Sequence, residues 1–290
     1  MKQGELVVRK SYGGDVVFKI DAVEQARAVL KGVDFRLLAD APVSDLIPVR
    51  YSSPARHLLP QLKVEESMRR LDGYRKLQRE KLQSEMEVEE EHAFFEMPGK
   101  VLHLDGDPVY LRKSMALYAQ FRVPVEGYYV SEPNMIQALY RLLPRVRPNI
   151  LVLTGHDGIL KNKKDRDINS LSSYKNSHHF VGAIRTAREY DRNLDSLTVI
   201  AGACQSHFEA LLAAGANFAS SPGRVLIHAL DPACIAINAS YTSVKDTLNV
   251  ADVIRSTISG FQGVGGLETR GSCRLGLPKL KPKQSVPSTN

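Results

Sequence analysis

From about residue 97 onward, short apolar runs alternate with amphipathic stretches. Val101-Leu102-His103-Leu104 precedes a helical pattern over residues 110–121, and residues 123–129 precede another over 134–143. Ile150-Leu151-Val152-Leu153 precedes a loop and a helix over 177–190. Leu197-Thr198-Val199-Ile200 leads to a helix over 205–214, and a further strand is expected near 224–229. Such alternation predicts βαβ crossovers, hence an α/β fold with a mainly parallel sheet and helices on both faces. In sheets of this kind the chemistry lies outside the carboxyl ends of the strands.

The N-terminal pattern is different. Glu5-Leu6-Val7-Val8-Arg9, Asp15-Val16-Val17-Phe18-Lys19-Ile20 and Phe35-Arg36-Leu37-Leu38 read as short strands, with Gly13-Gly14 and Gly32 as turns. Leu46-Ile47-Pro48-Val49 adds an edge strand, and residues 1–55 are expected to form a small SH3-like β-barrel. Residues 56–96 are expected to be a charged helical linker. About half of residues 63–92 are charged, and the sparse apolar positions Val64, Met68, Leu71, Tyr74, Leu77, Leu82 and Met86 form a narrow helical stripe. A solvated linker is the favoured reading over an oligomerising coiled coil, and Arg69, Arg70, Arg75 and Arg79 make it a target for a trypsin-like protease. Residues 97–290 form the α/β domain.

Composition narrows the function classes. An apolar fraction of 43% and a charged fraction of 24% describe an ordinary globular chain. No apolar run is long enough to span a bilayer, and no secretory h-region follows Met1, so a soluble cytoplasmic protein is expected. Three cysteines without a CxxC pair make a disulfide framework and a cysteine zinc site poor readings. The net charge of +7 permits an acidic partner without naming one; the basic excess is spread along the chain, so nucleic acid is not the expected partner. A Walker loop, a GxGxxG and a GxSxG are all missing, and no cofactor is expected.

Two strand ends carry the candidate chemistry. One strand ends in Thr154-Gly155-His156-Asp157-Gly158, and a second ends in Ala201-Gly202-Ala203-Cys204-Gln205-Ser206. A thiolate needs a lowered pKa or a nearby base; Cys204 is expected just before a helix N-terminus, with His156 as base across the cleft. Backbone N–H groups of Cys204 and of Asp157 or Gly158 are the expected oxyanion donors. Taken separately, a buried cysteine is usually packing and a lone histidine a satisfied side chain; their pairing at two strand ends favours function. Cys234 reads as a core thiol, and Cys273 lies near a Gly-rich tail. His178-His179 lack a second ligand pair, so no metal site is expected. His103 and Asp105-Gly106-Asp107 sit at another strand end, where capping of the next helix at Pro108 is the favoured use over metal binding or substrate orientation.

A strand ending in His, followed 48 positions later by a strand ending in Ala-Cys, resembles the caspase–gingipain–clostripain group of cysteine endopeptidases, although Asp157 stands where that group has glycine. A resemblance covering nearly the whole chain is to the YabG family of sporulation-specific proteases. It is carried by the stretches 97–107, 154–157, 201–209, 215–222 and 227–232, by Glu268-Thr269-Arg270-Gly271 and by Arg9-Lys10-Ser11-Tyr12. The resemblance implies a caspase-like fold and a cysteine endopeptidase with His156 as base and Cys204 as nucleophile. It also implies cleavage after arginine of spore coat and coat-morphogenetic proteins, in the mother-cell cytoplasm and at the forming coat. An arginine pocket needs a carboxylate that pairs with guanidinium; Asp231 is preferred, with Asp157, Asp105 and Asp107 as further candidates. Self-cleavage is expected within residues 63–92.

Two other readings compete. Cys204 with His228, 24 residues later, resembles small thiol enzymes of the DJ-1 and amidotransferase type. Alternatively the barrel and the positive charge dock nucleic acid or anionic coat layers, with no role for the thiol.

Overall fold

The computed structural model describes residues 1–49, 54–86, 95–160 and 167–276. Its first unit is an antiparallel sheet of β1 (Leu6–Arg9), β2 (Phe18–Glu24), β3 (Arg27–Gly32), β4 (Leu38–Pro42) and β5 (Leu46–Pro48), in the order β4-β3-β2-β1-β5. Alternation puts Val7, Phe18, Ile20, Ala28, Leu30 and Leu46 into one small core. β4 and β5 are the two edges and do not pair with each other, so the sheet is open where a closed barrel was expected. The alternating run that builds β3 lies at Arg27–Gly32, and of the expected strand Phe35-Arg36-Leu37-Leu38 only Leu38 enters the sheet. Val33 and Leu37 stay bonded to it through the Val17 carbonyl and the Gly32 N–H, while residues 34–36 cross to the second unit, where Arg36 becomes one of the largest fully buried side chains of the protein.

The charged segment is a 33-residue helix, α1 (Pro54–Met86), and it is docked rather than solvated. Leu71 and Leu82 are buried, Tyr74 shares a 2.7 Å hydrogen bond with Thr242, and Lys81 pairs with Asp246 at 2.8 Å. Arg70 donates to the Arg255 carbonyl and Arg75 lies over the Tyr241 ring. The stripe is narrow because the helix rests on one neighbour and keeps its charged side wet. Its arginines lie in hydrogen-bonded helix, a conformation a protease must first unwind. Residues 87–92 of the expected self-cleavage segment lie outside the described residues.

The second unit begins with β6 (Phe95–Met97), which pairs only with β13 (Arg274–Gly276). Its main sheet has the order β12-β11-β10-β9-β7-β8, from β7 (Val101–Asp105), β8 (Val125–Tyr129), β9 (Ile150–Thr154), β10 (Thr198–Ala201), β11 (Phe218–Ser220) and β12 (Val264–Gly266). All neighbours are parallel except β11 and β12. Helices α3 (Met135–Val146), α4 (Ser177–Tyr190) and α5 (Phe208–Ala213) cover the face that holds Leu102, Leu104, Leu151 and Leu153. Helices α2 (Pro108–Gln120), α6 (Asp231–Tyr241) and α7 (Val250–Arg255) cover the face of Val101, Ile150, Val152 and Ile200; α8 (Gly260–Gly263) leads into β12. Burial on both faces is why β7 and β9 are closed to solvent at every position. The mainly parallel sheet with helices on both faces is the expected architecture. The strand foreseen at 224–229 is not part of it, however; β11 takes the place beside β10, and of residues 224–229 only His228 forms a bridge, with Phe35. Among the described residues, no helix is long and apolar enough to cross a membrane.

Candidate active site

β9 and β10 are neighbours, so the two chemistry-bearing loops leave the same end of the sheet side by side. After β10, Gly202 takes φ +113, which a side chain rarely adopts, and a Cβ there would lie 2.9 Å from Leu211 and 3.0 Å from Ser220. That turn delivers Cys204, whose Sγ accepts from the Ile227 N–H at 3.2 Å and donates to the Ile227 carbonyl at 3.6 Å. Helix α5 starts only at Phe208, with His207 as its cap, so the expected helix N-terminus is not at the sulfur. Burial dominates instead and pushes the thiol up to about 12, leaving it protonated.

His156 follows β9. Its N–H donates to Glu132 Oε1 at 2.7 Å, and Glu132 itself fits between Gly106 and Gly155. A Cβ on Gly155 would overlap Glu132 Oε1. Gly155→Ala therefore has to displace the carboxylate that holds the His156 backbone, and urea unfolding should report a loss of about 1–3 kcal/mol. An unchanged midpoint would mean that the loop gives way freely. The His156 ring lies 5.5 Å from the Tyr110 ring, and its buried Nε2 makes no hydrogen bond, with Asp107 Oδ2 3.4 Å away. Burial lowers its pKa to about 4, against the pull of Asp107 and Asp105, so the ring is neutral at pH 7. Asp107 also caps α2 through Oδ1, which accepts from the Val109 and Tyr110 N–H groups. The expected capping role uses one oxygen; the other faces His156.

Three candidate carboxylates separate on geometry. Asp157 accepts from Ser177, Ser206 and the Asn176 and Gly158 N–H groups, so it is a buried hub of the loop and has no oxygen left for a guanidinium. The same contact commits the Gly158 N–H, which removes it as an oxyanion donor. Asp231 opens α6 and accepts from the His228, Ile258 and Ser259 N–H groups, a structural use of the residue preferred from sequence. Asp105, at the end of β7, pairs with Arg36: Nη1 donates to Oδ1 at 3.0 Å and Nη2 lies 2.9 Å from Oδ2. Burial would raise Asp105, and the Arg36 guanidinium with His103 overcomes this, holding its carboxyl well below the usual carboxylate range. His103 contacts Asp105 Oδ2 at 3.4 Å while bonded to Tyr118 and Thr154, so it buttresses the carboxylate.

Arg36 was not anticipated at this site. It is 0% exposed, its Nε and Nη2 donate to the Ala229 carbonyl at 3.2 and 2.9 Å, and its guanidinium lies 5.0 Å from the Tyr110 ring. A signal existed: one arginine inside the apolar run Phe35-Arg36-Leu37-Leu38, in a chain segment too short to bury it locally. Glu132 was missed as well, since nothing in Ser131-Glu132-Pro133 marks it as a support.

The remaining candidates stand apart. His228 is lowered to about 4 by burial, and its Nδ1 accepts from the Leu230 N–H at 3.2 Å, so that nitrogen is already engaged. Cys234 is buried on α6 near Ser67, and burial raises Cys273 to about 11. His178 is exposed, and among the described residues no group of histidine, cysteine and acidic side chains fits a metal ion.

Comparison with known proteins gives the family. The chain is 44% identical over 283 residues, 95% of its own length and 97% of the relative's, to the sporulation-specific protease YabG of Bacillus subtilis (strain 168). No solved structure matches it. The profile of the YabG peptidase U57 family matches residues 2–278, and the chain belongs to that family.

Proposed function

We propose that this sporulation protease is a cysteine endopeptidase that cleaves after arginine, with Cys204 as nucleophile and His156 as general base. The observation that carries the reading is the guanidinium of Arg36 seated on Asp105. Its own N–H donates to the Ile227 carbonyl at 3.2 Å, and the same residue, Ile227, holds the Cys204 sulfur. An arginine therefore occupies a deep carboxylate pocket whose wall is shared with the thiol. Asp105, rather than Asp231 or Asp157, selects arginine: a guanidinium that bonds Oδ1, lies against Oδ2 and is shared with the Ala229 carbonyl in a buried site is read by geometry as well as charge.

In the reaction the Cys204 thiol gives its proton to His156 as Sγ attacks the carbonyl carbon of the arginine. The N–H groups of Cys204 and Asp157 receive the oxyanion, a contribution on the order of 10²–10³ in rate per donor. His156 protonates the leaving amine, and water then hydrolyses the thioester. Asp107 Oδ2 orients the imidazole and stabilises it while it carries the proton. No step calls for a cofactor. The substrates are spore coat and coat-morphogenetic proteins, met in the mother cell at the forming coat. The reading through Cys204 and His228 is disfavoured by the engaged Nδ1 of His228. Digestion of an arginine-containing coat protein, read by mass spectrometry, should give new carboxyl termini at arginine in nearly every fragment. Termini spread over lysine or apolar residues would reject the assigned selectivity.

A further inference from the structure

We infer that the bond between Arg36 and Leu37 is a self-cleavage site, held loaded in the protease's own active site by the connection between β3 and β4. The inference rests on the proteolytic reading above and assigns that site its first substrate. Residues 34–36 leave the N-terminal sheet and lie along residues 227–229. Arg36 N–H donates to the Ile227 carbonyl at 3.2 Å, and the Ala229 N–H donates to the Asp34 carbonyl at 2.8 Å. Phe35 pairs antiparallel with His228, and Leu37 pairs in parallel with Asp157. This is strand addition to an extended edge, a mode in which the main chain supplies affinity and one pocket supplies specificity. The pocket is filled by Arg36 on Asp105 and the Ala229 carbonyl.

Position along the strap decides which bond is at risk. Arg36 is tied to Ile227, the residue that holds the Cys204 sulfur, and Leu37 is tied to Asp157, the residue after His156. The peptide bond joining Arg36 to Leu37 thus spans from the nucleophile's side of the cleft to the base's side. Leu37 N–H closes a three-residue turn onto the Phe35 carbonyl at 2.7 Å, which sets that bond at the apex of the strap. Both flanks are anchored: Lys113 holds the Val33 carbonyl and Asp34, and the Tyr110 hydroxyl donates to the Phe35 carbonyl at 2.6 Å. Of the arginines of α1, Arg70 donates to the Arg255 carbonyl and Arg75 lies over the Tyr241 ring, both in regular helix.

The step balances within the chain. Cys204 Sγ bonds to the Arg36 carbonyl carbon while its proton passes to His156. The carbon–nitrogen bond to Leu37 breaks, the Leu37 amine takes that proton, and water frees Arg36 as a carboxylate and restores the thiol. The fragments, residues 1–36 and 37–290, stay together because Lys31 of β3 still pairs with Leu38 of β4. In the uncut chain Cys204 is 0% exposed.

Purified full-length protein should therefore give, under denaturing mass spectrometry, a species whose N-terminus is Leu37. Cys204→Ala should give the uncut chain, and Arg36→Gln should lower cleavage at this bond by a factor on the order of 10⁴ while an arginyl amide is still hydrolysed. Wild-type protein that hydrolyses the arginyl amide yet keeps the bond after Arg36 intact through prolonged incubation overturns the inference and leaves the protease assignment standing. Wild-type protein that cuts neither overturns both. These two wild-type results hold even if Arg36→Gln fails to fold.

Discussion

Cys204→Ala is expected to abolish peptide cleavage, with a fall in turnover on the order of 10⁴ to 10⁶, while leaving the protein folded. The size follows from chemistry: without Sγ there is no covalent intermediate, and an oxyanion hole with a bound substrate retains only a small residual acceleration. The fold survives because the change removes one sulfur atom and the hydrogen bond from the Ile227 N–H, a cost of about 1–3 kcal/mol for a buried unsatisfied donor. His156→Ala should cost a similar factor, and the double variant little more, since base and nucleophile act as one unit. His228→Ala is the control: its ring is edge-on to Phe35 and its Nδ1 engaged by Leu230, so turnover should stay within a few-fold of the parent chain. Progress curves with an arginyl amide, together with thermal melts of each variant, make the comparison. A fully active Cys204→Ala, or a His228→Ala as inactive as His156→Ala, removes the assigned chemistry.

The closed state explains why these residues look inert at rest. Cys204 is pushed up to about 12 and His156 down to about 4, both chiefly by burial. Each group is thus held neutral in the resting protein, and charging either one requires a change in its surroundings. On the proposed mechanism, exchange of the strap for water or for a substrate is expected to lower the desolvation that dominates both shifts.

The parallel sheet was legible because its strands are apolar at consecutive positions and its helices periodic, so Ile150–Thr154 and Thr198–Ala201 announced themselves with His156 and Cys204 at their ends. The N-terminal unit was legible as β but not as an open sheet, since closure depends on whether the last strands meet. Phe35-Arg36-Leu37-Leu38 has the composition of a strand, and its apolar positions do pair with backbone, but with the other unit's residues 228 and 157. Local pattern carries no address for a long-range partner. Asp105 and Asp231 were equivalent in sequence for the same reason: both follow apolar runs. Only the fold shows one surrounded by backbone N–H groups and the other by an arginine.

Asp105→Asn is expected to lower kcat/KM for an arginyl amide by about 10³-fold or more, and to bring arginyl and citrullyl amides to within about tenfold of each other. Asparagine keeps the shape and one acceptor, enough for the Asp107 N–H that donates to Oδ1 at 2.9 Å, so the loop before α2 is preserved. What disappears is the charge that pairs with guanidinium in a site closed to water, and a site built around that pair discriminates steeply against its loss. The resting protein should respond too. Arg36 would be a buried cation without a counter-charge, a state costing about 3–5 kcal/mol, so the strap has either to leave the pocket or to destabilise the chain by that amount. On the self-cleavage inference, departure of the strap is expected to open the site, and iodoacetamide labelling of Cys204 should then be faster in Asp105→Asn than in the parent chain even though arginine turnover is lower. The two readouts move in opposite directions, which a merely unfolded variant cannot reproduce once a urea titration shows a cooperative transition. An arginyl-to-citrullyl ratio equal to the parent's in a folded Asp105→Asn would show that some other carboxylate reads the substrate, and the pairing with Arg36 would then be only a clasp between the two units.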